Sequence, residues 1–175
     1  VQVYYHQTLG KDTLWFNCPE AGNITSAADA ESVTEMILYS RKSAMRIMSF
    51  LKERFPGFEE AYIQSFADIP GIRESYRLDG EYIMTEKDIE ARCRFEDAVA
   101  QSAYPIDIHN EKNLVLIHMD PGEYYEIPYR CMLPREVDNL LVAGRCFSAD
   151  QVASASVRVQ ASVMGLGQAA GCAAA

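Results

Sequence analysis

A chain of 175 residues, 49% apolar and 23% charged, is long enough for one sizeable domain or parts of two and has the apolar material to bury a core. Its formal charge of −9 leaves no basic footprint, which argues against a nucleic-acid partner. No signal-peptide pattern of basic and then apolar residues is visible, and an odd count of five cysteines fits a reducing cytoplasm.

In chain order, the stretches Val1–Leu9 and Thr13–Asn17 alternate as two strands around a Gly10-Lys11-Asp12 turn, a hairpin signal. After a Pro19- and Gly22-containing loop comes a long helix, with Ser26 or Asp29 as its cap and Glu31 in the first turn. Val33, Met36, Ile37, Ala44, Ile47, Met48 and Leu51 recur at steps of three and four and form its core face. Pro56-Gly57 ends it, and Phe58–Ser65 reads as a short second helix. A strand is expected over Ile72–Leu78, broken by Asp79-Gly80. Thr85, with Asp88 three residues on, opens a helix expected over Glu86–Ser102, with Ile89, Cys93, Phe95 and Val99 partly inward. Pro105 biases Tyr104 away from helix, so Tyr104–His109 is extended. Leu114–His118 and Tyr124–Pro128 read as strands paired around the Asp120-Pro121-Gly122 turn.

The closing stretch, Asp138–Ala175, is the most informative. A short buried-strand pattern at Leu140–Ala143 follows Asn139 and runs into a Gly144-Arg145 turn, a small polar linker and a Gly/Ala-rich helix. A strand that delivers a ligand to a helix N-terminus offers free N–H groups and a partial positive charge to an anion or an electron-rich ring. Gly165, Gly167 and Gly171 look like a dinucleotide fingerprint, but they lie inside the helix rather than directly after a strand. They read instead as small residues for close packing on a sheet. Arg158 and Gln160 interrupt any membrane-length apolar run, so Gly167 and Gly171 are not a membrane dimer motif. The cysteines and the three histidines show no metal-ligand spacing, so no metal site is expected.

Several segments occur together in one order: Gly71-Ile72-Arg73-Glu74-Ser75, Gly80 to Asp88 (GEYIMTEKD), Tyr104 to His109 (YPIDIH), Ile127-Pro128-Tyr129-Arg130, and the NLLVAGR and GQAAGCAAA runs of the closing stretch. Together they make the chain resemble the FAD-dependent oxidoreductases of the glutathione-reductase-like flavoprotein class. The match covers most of Gly71–Ala175, while Val1–Ser65 matches loosely. Where such proteins often have a Thr-His-Glu-like stretch, this chain has Ala149-Asp150-Gln151, so it has no linker histidine.

The resemblance implies an α+β substrate (cap) domain, roughly residues 1–133, of a two-domain FAD/NAD(P)-binding-type flavoprotein. Residues 134–175 would then be the last strand and helix of its Rossmann-like FAD domain. A Gly-rich phosphate loop has no counterpart here, so the N-terminal FAD-binding segment is expected to lie outside this sequence, and the chain alone to be inactive.

FAD is the implied cofactor. Gly144 and Arg145 would lie near its ribityl–pyrophosphate region, with an ordinary ion pair the alternative for Arg145. Ser156, Val157, Arg158, Val159 and Gln160 would open the final helix toward the isoalloxazine, whose reduced form carries negative charge that a helix N-terminus and an arginine stabilise. A helix-cap or surface role is the alternative for Arg158.

His109 is a candidate proton donor or acceptor, with Asp107 two residues away on the same strand face, against a structural role for the histidine. Tyr129, followed by Arg130, would face substrate, and Arg73 would approach flavin or substrate or pair with Glu74. The function expected is hydride or electron transfer between a small-molecule substrate and FAD. A non-catalytic α+β binding or interaction domain is the alternative. Neither the oligomeric state nor the substrate is legible.

Overall fold

The computed structural model describes residues 5–8, 10, 12–19, 26–109 and 114–175, with backbone alone at 109 and 114–117. Helices and small sheets coexist in it, an α+β chain, and it divides into two compact units, Val1–Ile72 and Arg73–Ala175.

In the first unit, β1 (Tyr5–Gln7) and β2 (Leu14–Phe16) form the expected antiparallel hairpin, with His6 opposite Trp15. Residues 1–4, 9 and 11 of the expected strands and turn lie outside the described residues. The turn closes through Thr8, whose N–H and hydroxyl both donate to the Thr13 carbonyl at 3.2 and 3.0 Å.

Helix α1 (Ala30–Arg54) is capped by Asp29, whose carboxylate accepts from the Ser32 N–H at 2.8 Å, so of the two cap candidates Asp29 holds the helix. Glu31 in the first turn and Lys52 and Arg54 in the last complement the helix dipole. Its buried residues include Met36 and Leu51, and Val33, Ile37, Ala44, Ile47 and Met48 lie half-buried on the same face, as their spacing predicts. The expected helix over Phe58–Ser65 does not form. A single turn bond, Ala61 N–H to the Phe58 carbonyl, is followed by extended chain, and Tyr62 is 78% exposed. An eight-residue helix with no face to bury does not recover its nucleation cost.

In the second unit the Ile72–Leu78 stretch is extended without a ladder. Its fixed points are a Leu78 N–H bond to the Cys146 carbonyl and, just beyond, a bridge between Gly80 and Pro134. Gly80 is required by contact: a Cβ there would sit 2.7 Å from that of Ser148, whose hydroxyl accepts the Gly80 N–H.

Helix α2 (Glu86–Glu90) starts where Thr85 and Asp88 place it, the Asp88 carboxylate accepting from both the N–H and the hydroxyl of Thr85 at 2.8 Å. It stops far short of the expected Ser102. Arg92 takes a left-handed φ of 55°, and the N–H groups of Arg92 and Cys93 return to the carbonyls of Ile89 and Asp88. This is a Schellman-type ending with arginine where glycine is usual. The Arg92 guanidinium supports it by donating to the Ile89 and Glu90 carbonyls at 3.0 Å and pairing with Glu123 at 2.8 Å.

Because α2 stops, Ala98–Ser102 is free to become strand β3. It pairs antiparallel with β6 (Tyr125–Pro128), while β4 (Ile106–His109) pairs with β5 (Leu114–Ile117). The expected pairing of the last two strands with each other is therefore replaced. The Asp120–Glu123 turn exists, with Gly122 at φ 91°, but it connects strands of two different two-stranded sheets.

Tyr129–Met132 forms a 3₁₀ turn directly after β6. The Leu140–Ala143 run is extended with one bond, Val142 N–H to the Met132 carbonyl, and has no strand partner among the described residues. The closing helix is two helices, α3 (Gln151–Val157) and α4 (Gln160–Ala174).

The core of this unit gathers Met84, Ile89, Ile106, Tyr125, Ile127, Phe147, Val157 and Leu166. Five consecutive residues of α3, Ala153 to Val157, are buried, because alanine and serine are small enough to let a helix be enclosed on every side. Among the three helical glycines, Gly165 meets β3 closely: a Cβ there would lie 3.3 Å from that of Ala100. Gly167 and Gly171 face open space.

Candidate functional site

The junction of α3 and α4 is built from both sides. Asp150 caps α3 with one carboxylate oxygen on the Ala153 N–H at 2.7 Å, and its other oxygen accepts from the Glu86 N–H at 3.0 Å. Its own N–H donates to the Met84 carbonyl at 2.8 Å. One side chain thus fixes the start of α3 against the start of α2.

At the far end Arg158 is the C-cap of α3, its N–H on the Ser154 carbonyl. Val159 turns extended, with ψ at 149°, and α4 begins at Gln160 without a side-chain cap. Valines on either side of Arg158 disfavour an unbroken helix, since β-branching costs side-chain freedom there. Arg158 therefore precedes α4 rather than lying inside its first turn.

The guanidinium of Arg158 is half-buried and donates to the Asp107 carbonyl on β4 at 3.3 Å. Burial pulls its pKa below the ordinary arginine value, and the positive charge of Arg73 pulls the same way, against the carboxylates of Glu74 and Asp107. Arg73 itself is exposed. The neighbouring Glu74 is held between Arg77 at 2.8 Å and the Gln151 side-chain amide at 3.1 Å, which ties the Arg73 segment to the first residue of α3. Two cations thus share a neighbourhood beside a helix end whose first N–H groups have no side-chain cap, a setting that favours an anion.

The remaining candidates are distributed. Gly144 takes φ 94°, which favours glycine, and nothing stands within 4 Å of where its Cβ would be. Arg145 is exposed beside it. Val159 is half-buried and Gln160 exposed. The Ser156 hydroxyl is buried and donates to the Tyr104 carbonyl at 2.6 Å, with the Tyr125 hydroxyl 2.7 Å away. Tyr129 is half-buried and packs against the core. Arg130 pairs with Asp97 at 3.0 Å and lies over the Tyr82 ring. The backbone of His109 pairs with that of Leu114, and its side chain lies outside the described residues.

Sequence reasoning missed the Glu74–Gln151 link and the Tyr125–Ser156 pair, both of which join residues far apart in the chain. A carboxamide after the Asp150 cap was the only local sign of the first.

A family model for FAD dependent oxidoreductases matches residues 3–175, nearly the whole chain, and the protein belongs to that family. No curated protein and no solved structure matches it. Among the described residues no helix is long and apolar enough to cross a membrane.

Proposed function

We propose that the chain is the C-terminal portion of a two-domain flavoprotein of the glutathione-reductase-like class, which moves hydride or electrons between a small-molecule substrate and FAD in a reducing cytoplasm. On this reading residues 134–175 close the FAD domain and residues 1–133 form the substrate side. The observation that carries it is the half-buried Arg158, set beside Arg73 and the uncapped start of α4.

The donor set fits the pyrimidine edge of an isoalloxazine. The N–H groups of the first turn of α4 and the Arg158 guanidinium are donors only, and they suit an acceptor-rich edge. Gly144 leaves room for close backbone approach in the turn before α3. On this reading the pyrophosphate cradle, a strand–Gly-x-Gly-x-x-Gly–helix unit, belongs to the N-terminal portion of the FAD domain.

Bound FAD supplies a two-electron acceptor. The residues of this chain then hold and screen charge. Arg158 and the α4 N-terminus favour the reduced, anionic form, and Arg73 lies on the same side for substrate or flavin. Asp107 and His109, two residues apart on β4, are the proposed proton-handling pair, and Tyr129 the substrate-facing ring.

The test is the midpoint potential of FAD with the protein at saturation. A potential above that of free FAD supports the reading, because the site then binds the reduced form more tightly. A potential equal to or below the free value rejects it.

A further inference from the structure

A buried run of hydroxyls crosses the second unit beneath the α3–α4 junction. Ser156 on α3 donates its only hydroxyl hydrogen to the Tyr104 carbonyl at 2.6 Å. The Tyr125 phenol, 2.7 Å from the Ser156 oxygen, must therefore be the donor in that contact. With its hydrogen spent, the phenol oxygen is left as acceptor, and the residue that stands opposite Tyr125 in the β3–β6 ladder is Ser102, at the end of β3. Ser162, in the first turn of α4, donates to the Ser102 hydroxyl at 3.0 Å. Two hydrogen-bonded pairs, Ser162 to Ser102 and Tyr125 to Ser156 and on to the Tyr104 carbonyl, thus meet at the Ser102–Tyr125 position of the β3–β6 ladder. Tyr125 is fully buried, and Ser102, Ser156 and Ser162 are buried with it.

The run ends on a backbone carbonyl, which cannot pass a proton on, so it is not a proton path. What it does is mechanical. Ser156 lies two residues before Arg158 and is tied to the Tyr125 phenol on β6, and Ser162, four residues after, is tied to Ser102, the ladder partner of Tyr125. The Tyr104 carbonyl at its end lies three residues from the Asp107 carbonyl that Arg158 engages. The geometry points to Tyr125 as a positioning residue that sets the break between α3 and α4 and, through it, the place of the Arg158 guanidinium. Its consequence for flavin rests on the reading above.

Tyr125→Phe removes the central link and leaves the ring in place. Ser162→Ala removes only the outer donor and serves if the first variant folds poorly. Tyr82→Phe is the matched control, since its phenol bonds Asp88 and no residue of the junction. The first readout is amide exchange at Arg158 and Val163, whose N–H groups close on the carbonyls of Ser154 and Val159. Loss of one buried hydrogen bond should speed exchange there about fivefold in Tyr125→Phe, less in Ser162→Ala and not in Tyr82→Phe. Exchange that is unchanged at these two amides, or raised equally across the whole unit, overturns the proposal.

The second readout is the FAD midpoint potential, compared with that of Arg158→Ala. Tyr125→Phe should shift it in the same direction and by less. If Arg158→Ala lowers the potential and Tyr125→Phe leaves it unmoved, the positioning role is overturned. If Arg158→Ala leaves the potential unmoved, the flavin reading has failed instead, and amide exchange alone decides the role of Tyr125.

Discussion

Replacing Arg158 by alanine removes a charge and a hydrogen bond at once, and the two losses register in different measurements. The bond to the Asp107 carbonyl, 3.3 Å long and half-buried, joins a charged donor to a neutral acceptor at the long end of the range. Its loss should cost about 1 kcal/mol of folding stability. Some of that cost is offset, because burial and Arg73 already disfavour the charged form in the wild-type protein. On the proposed function the charge would act chiefly on the reduced, anionic flavin. A charge-assisted contact is worth about 1.5–3 kcal/mol, and for a two-electron couple about 1.4 kcal/mol corresponds to 30 mV. The midpoint potential should therefore fall by roughly 30–65 mV.

Arg158→Lys should restore part of the potential, since the charge returns without the planar fork. A redox titration beside a thermal melt separates the two effects. An unchanged potential with a large drop in melting temperature would refute the electrostatic role and leave the α4 N-terminus as the flavin-facing element.

At Arg92, glycine should be the less damaging substitution. Arg92→Gly and Arg92→Ala both lose the Glu123 pair and the two carbonyl bonds, but alanine also keeps the strain of φ 55°, so the alanine variant should be less stable by about 0.5–1 kcal/mol. A denaturant melt that ranks alanine above glycine would contradict the Schellman-type ending. Acid sensitivity should fall in Glu123→Gln. Bonds from Arg92 and from the Asp120 N–H hold the Glu123 carboxyl below its ordinary 4.5, so its stabilising effect is present above that value and is lost as pH falls through the lower folded value. Melting temperature should accordingly decline less below about pH 4.5 in the variant than in the wild type, and parallel acid limbs would count against the pair. All five cysteines are free, so five thiols should titrate in denaturant. In the native protein the exposed Cys146 and Cys172 should react first and the buried Cys131, its thiol pushed up to about 12 by burial, last; early loss of Cys131 would show that the core opens.

Local signals carried the sequence reading as far as the physics is local. The α1 face and cap and the start of α2 depend on residues within four positions of one another, and the hairpin on residues within eleven, and each was legible. The end of α2 was not, because Arg92 holds a left-handed conformation through side-chain bonds to Glu123, 31 residues on. That one stop propagated. With Ala98–Ser102 assigned to helix, Tyr124–Pro128 had no partner but the neighbouring strand, although Tyr125 and Ile127 pair with Ser102 and Ala100. The break at Arg158 was hidden for a similar reason, since its fixing contacts come from Tyr104, Tyr125 and Asp107, all more than 30 residues before it in the chain.

The segments that carried the resemblance divide by what they touch. In Gly80–Asp88, Gly80 is set by contact with Ser148, Tyr82 donates to Asp88 at 2.8 Å, Thr85 and Asp88 open α2, and the Glu86 N–H is held by Asp150. The Tyr82 and Thr85 bonds fix the start of α2, and the Gly80–Ser148 contact and the Glu86–Asp150 bond brace it against the approach to α3. The Ile127–Arg130 segment is likewise spent on β3 pairing and on Asp97. What these braces leave unspent is the face where Arg73, Arg158 and the start of α4 meet. At Arg158 burial and the positive charge of Arg73 disfavour the charged form, and the carboxylates of Glu74 and Asp107 favour it. On the proposed reading an anion brought to this face would add to that balance, the role the family's cofactor would fill in its reduced form.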